Sequence, residues 1–178
     1  MIGDFSAQPK QSNNNAKIVM WVFFGISAVL FGVSAGIPVY KGVVGAAGLI
    51  SLVTAILMYT KYISVVFYYD VIVAGVDEPL FVVRQLTGKR EITLARVALA
   101  DIVDIKRETA TERRLHKRDK TTALYIYAPT LSPAVSYRML VRSYTERSEI
   151  ILEGSDEFFA KLIELSREAK KLRSEEDC

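Results

Sequence analysis

The chain has 178 residues, 51% of them hydrophobic, and a net charge of only +3. That charge, with no interleaved basic and aromatic motif, excludes a nucleic-acid binder of the usual electrostatic kind. The single cysteine, Cys178, excludes an internal disulfide and fits a reducing compartment.

The charges are unevenly placed. Residues 18–60 contain one, Lys41, and 39 of the 43 charged side chains fall from position 61 onward. This divides the chain into a membrane part and a water-soluble part long enough for one core. Residues 1–17 are polar, with the run Gln11-Ser12-Asn13-Asn14-Asn15, and are expected to be a disordered tail.

Residues 18–61 read as a membrane α-helical hairpin. Ile18–Tyr40 and Gly42–Thr60 are each free of charge and about long enough to cross the roughly 30 Å hydrocarbon core. Ile37-Pro38-Val39-Tyr40-Lys41 supplies a helix breaker, an interfacial ring and a charge, and so a tight turn between them. Trp21, Tyr40, Tyr59 and Tyr62 lie near the expected interfaces. A pair of helices buried in a soluble core would normally keep a polar stripe, which these lack. A cleavable signal peptide ending near Val33-Ser34-Ala35 is the other alternative; the long apolar run and the second span favour a retained anchor.

Lys10, Lys17 and Lys61 flank the hairpin on one side and Lys41 on the other. The positive-inside rule then places both termini in the cytosol of a plasma-membrane protein. Gly32 and Gly36 in the first helix form a small-residue row, as do Ala47, Ser51 and Ala55 in the second. These rows pack within the hairpin or against another copy, Gly32 and Gly36 being the candidate contact for a homo-oligomer. No ionisable side chain lies within either span, against an ion pathway.

From Tyr62 the pattern shifts to short stretches rich in β-branched and aromatic residues. Strands are expected at 62–74, 80–86, 90–97, 100–106, 123–128, 136–142 and 149–153. In the third, Ile92 and Leu94 face one way and Glu91 and Thr93 the other. Ser155 then caps a helix with Asp156 and Glu157 in its first turn. Its apolar stripe runs through Phe158, Phe159, Leu162, Ile163, Leu165, Ala169 and Leu172. The reading is an α+β soluble domain over 62–174: a seven-stranded antiparallel sheet or barrel capped by a C-terminal helix, with 175–178 as a tail.

The order of these elements resembles the pleckstrin-homology-like domain of small bacterial membrane proteins in which a two-helix hairpin precedes the domain. The residues that carry the resemblance are Gly88-Lys89-Arg90-Glu91-Ile92-Thr93-Leu94 and Leu99-Ala100-Asp101-Ile102-Val103-Asp104-Ile105. The resemblance implies a non-enzymatic binding or scaffolding module facing lipid headgroups or peptides. Phosphoinositide-binding members carry basic residues in the loop between their first two strands. Here that loop carries Asp77 and Glu78, so that ligand is not carried over.

The densest basic stretch is Arg113-Arg114-Leu115-His116-Lys117-Arg118-Asp119-Lys120, expected as a long exposed loop. Arg113, Arg114, Lys117, Arg118 and Lys120 are the candidate ligand-binding residues, for anionic lipid headgroups of the inner leaflet. The plain alternative is a solvated loop. His116, the only histidine, lacks companions for a metal site and reads as an exposed loop residue. Asp101 and Asp104 point to opposite strand faces, against a carboxylate pair. No phosphate-binding glycine motif or nucleophile elbow occurs, and no cofactor is expected. The competing class is an accessory subunit of a membrane enzyme or transporter complex. A deep pocket lined by Asp101, Arg138 or Tyr144 would favour an enzyme.

Overall fold

A computed structural model describes residues 5–9, 14–36, 41–73, 78–116, 122–142 and 146–176. The chain forms two compact units, one of residues 12–65 and the other of residues 1–11 with 66–178.

The first unit is a helical hairpin. Helix α1 spans Asn14–Gly36 and α2 spans Lys41–Met58, prolonged by a π-helical turn at Tyr59–Ile63. Both are long and apolar enough to cross a membrane. The expected turn at 37–40 lies outside the described residues. The helices pair antiparallel through three serines. Ser27 Oγ donates to the Gly48 carbonyl (2.9 Å), Ser34 Oγ to that of Lys41 (2.9 Å) and Ser51 Oγ to that of Phe23 (2.8 Å). In an apolar setting a hydroxyl without a partner is costly, so each serine points at the neighbouring helix. The inward small-residue row of α2 is Gly48, Ser51 and Ala55: Ser51 and Ala55 are as expected, while Ala47 is exposed and Gly48 takes its place.

Gly48 permits the close approach: a Cβ there would lie 3.4 Å from Leu30 and from the Phe31 ring. Around Gly32 and Gly36, by contrast, nothing lies within 4 Å of such a Cβ. That face of α1 is not the one that α2 covers. A disulfide introduced by Ser34→Cys and Gly45→Cys, with Cys178→Ser, is therefore expected to close readily, because a Cβ at 45 would sit 3.4 Å from Ser34 Oγ. Adding Gly48→Ile should lower its yield severalfold, overpacking typically costing about 1–3 kcal/mol. Adding Gly32→Ile should leave the yield unchanged.

The second unit holds two four-stranded sheets and a long helix. Strands β1 (Phe5–Ala7), β2 (Val65–Ile72), β3 (Leu80–Thr87) and β4 (Arg90–Ala98) form the first sheet in that order. Gly88, with φ of +61°, makes the β3–β4 turn in a conformation that favours glycine. A 3-10 turn at Leu99–Asp101 leads to the second sheet: β5 (Ile102–Thr109), β6 (Ala123–Ile126), β7 (Val135–Arg142) and β8 (Arg147–Leu152), ordered β5-β7-β8-β6. A short helix α3 (Ala110–Leu115) follows β5, and α4 (Asp156–Glu176) ends the unit.

Three features differ from the expectation of seven antiparallel strands. Phe5–Ala7, within the stretch expected to lack structure, pairs with Tyr69–Val71 and sets Phe5 edge-on to Phe158 (5.3 Å between ring centroids) under Lys161 Nζ (4.4 Å). A single aromatic anchor and three strand pairs order a segment whose composition alone would not. Second, β6 runs parallel to β8, because the chain crosses from the β5 edge past α3 before re-entering the sheet. Third, Ile92 is exposed: the β3–β4 hairpin reaches beyond the core, and a bulge at Val83/Arg84 shifts its register.

Alternation sorts the strands into two faces. Tyr69, Val71, Phe81, Val83, Met139 and Leu152 are fully buried in the core. Helix α4 closes that core with Phe158, Phe159, Leu162, Leu165 and Ala169, while Leu172 of the expected stripe is exposed. Ser155 Oγ accepts from the Phe158 N–H (3.3 Å), the expected cap. Further along, Ser166 Oγ donates to the Leu99 carbonyl (3.0 Å) and Arg173 to Asp101 (2.8 Å). These bonds lock α4 over the junction of the two sheets.

Candidate functional site

The basic stretch begins in a helix rather than a loop. Thr109 and Glu112 form a capping box: Thr109 Oγ1 accepts from the Glu112 N–H (3.3 Å), and Glu112 Oε2 accepts from the Thr109 N–H (2.8 Å). The Thr109 N–H, and after it the Thr109 hydroxyl, which also donates to Glu112 Oε2 (2.8 Å), hold the Glu112 carboxyl below the usual carboxylate range. The signature, Thr109-Ala110-Thr111-Glu112, was present in the sequence but has no apolar run behind it to advertise a helix.

Within the stretch, the expected ligand residues part ways. Arg113 is turned inward, donating to Ser136 Oγ (3.0 Å) and to the Pro133 carbonyl (2.7 Å). It is a structural tie between α3 and the 129–134 segment and is not free for a headgroup. Arg114 is exposed, and beside it Leu115 is 78% exposed. Lys117, Arg118 and Lys120 lie outside the described residues, as does Tyr144.

His116, at the C-terminal end of α3, stands over a cluster of charge on the face of the second sheet opposite α4. Tyr137 faces α4, its ring stacked 3.7 Å from Phe159; Arg138, its neighbour, therefore faces the other way. Arg138 Nε donates to Glu108 Oε1 on β5 (2.7 Å), and its Nη1 donates to Glu149 Oε2 on β8. All three side chains are buried, and Glu108 Oε2 has no hydrogen-bond partner among the described residues. Burial works against the Arg138 guanidinium, but the bonds and charges of Glu108 and Glu149 outweigh it and raise its pKa. His116 Nε2 lies 3.5 Å from Glu149 Oε1, and its Nδ1 lies 4.0 Å from Glu108 Oε1. His116 is exposed, as expected, and follows the last turn of α3; its ring lies beside this two-carboxylate, one-guanidinium cluster. The signal available in the sequence was a charged residue inside each of three neighbouring strands; their register, which joins them, was not.

A concavity of about 570 Å³ opens on the first sheet, with Ser6, Asp70, Arg84, Thr93 and Arg96 among its lining residues. Arg84 spans Asp70 and Glu91 (2.5 Å each), so its charge is already matched. Asp101, named above as an enzyme indicator, is engaged by Arg173, and Arg138 by its two glutamates.

Tyr69 and Glu153 complete the polar interior. The Tyr69 hydroxyl donates to the Tyr127 carbonyl (2.7 Å), and burial pushes its phenol far above the ordinary range. Glu153 accepts from Thr130 N (3.1 Å) and Oγ1 (2.8 Å); burial raises its carboxyl, the Thr130 bonds and the Arg113 charge opposing. Comparison with protein-family models, curated proteins and solved structures finds no match to this chain.

Proposed function

We propose that this chain is a non-enzymatic, membrane-anchored binding or scaffolding protein. Its hairpin crosses the plasma membrane with both termini in the cytosol, and its sheet unit contacts the inner leaflet, a protein partner or both. The observation that carries the reading is the surface of the hairpin. Large apolar side chains such as Trp21, Val29, Val43 and Ile50 are mostly exposed on helices of membrane-spanning length. Such a surface in water would be an aggregation liability; in lipid it is the ordinary solvent-facing side.

The pleckstrin-homology-like assignment draws support from two sheets closed by a C-terminal helix, while the parallel β6 strand and the added β1 depart from it. The open Gly32 and Gly36 face supports self-association of the spans. For the leaflet, the reading keeps Arg114, Lys117, Arg118 and Lys120 and drops Arg113.

The test uses the full chain in nanodiscs of neutral or anionic lipid, with a fluorophore at Leu115→Cys and Cys178→Ser. A headgroup-linked quencher should dim the label in anionic discs, less so at high salt. Each basic residue at the surface contributes on the order of 1 kcal/mol, so changing the four to Ser should weaken contact by tenfold or more. Equal quenching in both lipids would remove the leaflet from the reading.

A further inference from the structure

We propose that the hairpin carries a binding site for one anionic phospholipid, which lays an acyl chain in a groove between the two helices and sets its phosphate against Lys17 and Lys61. The inference rests on the reading of the hairpin as membrane-spanning, with this end of it on the cytosolic side.

The groove, about 220 Å³, lies wholly within the hairpin. Met20, Trp21 and Phe24 of α1 line it, with Ala55 and Ile56 of α2 and Tyr59 of the π-helical turn. Ala55, 3% exposed, is the floor, and its small side chain leaves a furrow between larger ones. Trp21 and Phe24 make one wall, edge-on at 5.8 Å between ring centroids. Ile56 and Tyr59, each about half exposed, make the other. The lining is apolar, so the occupant that suits it is hydrocarbon.

The charge at one end of the groove selects the headgroup. Residues 17, 20, 21 and 24 share one face of α1, so Lys17 stands one turn before Trp21, about 6 Å along the axis. Lys61 lies in the π-helical turn that Tyr59 opens, with its Nζ 5.6 Å over the Tyr62 ring. Such turns frequently mark functional sites; this one is closed by the Ser64 N–H donating to the Tyr59 carbonyl (3.0 Å). Both lysines are exposed. Positions 5–69 contain no Asp or Glu, so the hairpin unit holds no carboxylate side chain to neutralise them. A lipid phosphate supplies that charge at the depth where Trp21 and Tyr59 meet the headgroups, in the leaflet that is rich in anionic lipid.

Trp21 is the only tryptophan, so its fluorescence reports on the groove. The full chain is placed in vesicles of phosphatidylcholine, and lipid with brominated acyl chains, a contact quencher, is added as phosphatidylcholine or as phosphatidylglycerol. Each lysine is worth roughly fivefold for an anionic lipid, so brominated phosphatidylglycerol should half-quench Trp21 at a content about tenfold lower or less. Lys17→Gln with Lys61→Gln should abolish the preference. Changing Arg114, Lys117, Arg118 and Lys120 to Ser should leave it, which separates this site from any leaflet contact of the sheet unit. A preference that survives the double lysine variant would overturn the inference. Equal quenching by both lipids would do the same, leaving the groove to bulk lipid or, where quenching rises as the protein is diluted in lipid, to a second copy. No quenching even in vesicles made wholly of brominated phosphatidylcholine would remove the spanning reading as well.

Discussion

Phe159→Ala should strongly destabilise the sheet unit while leaving the hairpin helical. Phe159 is fully buried, stacks 3.7 Å from the Tyr137 ring and meets Phe158 edge-on at 5.3 Å. Its ring also reaches the start of α4, where a Cβ on Gly154 would lie 3.0 Å away. Removing it opens a cavity between α4 and the second sheet, and also between α4 and the loop that launches it. Phe→Ala changes in cores cost about 3–5 kcal/mol, a large share of the roughly 5–15 kcal/mol that holds a domain together. The Tm of the strand signal in detergent should therefore fall by about 15 °C or more, each kcal/mol being worth about 4–8 °C in a domain this size. Phe159→Leu, which keeps most of the volume, should cost only about 1–2 kcal/mol. A loss below about 1 kcal/mol for the alanine variant would mean that α4 does not close the core as described.

Phe159 also illustrates what the sequence made legible. Periodicity at Phe158, Phe159, Leu162 and Leu165 placed the helix, and Ser155 with Asp156 placed its start to within a residue. The same local rules placed both apolar helices and seven of the eight described strands, because hydrophobic period and turn residues are local signals. What they could not reach depends on pairing between distant segments. Phe5–Ala7 is a strand only because β2 and Phe158 receive it. The parallel β6–β8 pair leaves no trace in either strand's own composition. The site was missed for the same reason. Glu108, Arg138 and Glu149 are separated by 30 and 11 positions, and only the β5-β7-β8 register brings them together. Counting charges pointed instead to Arg113 as exposed, whereas it is engaged by Ser136 and the Pro133 carbonyl.

Arg138→Met should be as damaging as the loss of Phe159, for an electrostatic reason. Among the described residues the guanidinium is the one fixed positive charge between two buried carboxylates, and one of their oxygens lacks a partner. Removing one member of a buried ionic group typically costs about 3–5 kcal/mol, because the remaining charges are left desolvated and uncompensated. Replacing all three, as Glu108→Leu with Arg138→Met and Glu149→Leu, removes the charges together with their desolvation penalty. The triple variant should regain most of the loss and come within about 1 kcal/mol of the parent or exceed it. Urea unfolding of the full chain, followed through the strand signal, reads both. Recovery in the triple variant would show that the cost of the single change is the charge it leaves uncompensated, and that an apolar trio holds the sheet as well as the ionic one. A single variant as stable as the parent would mean that the two carboxylates are not held buried together.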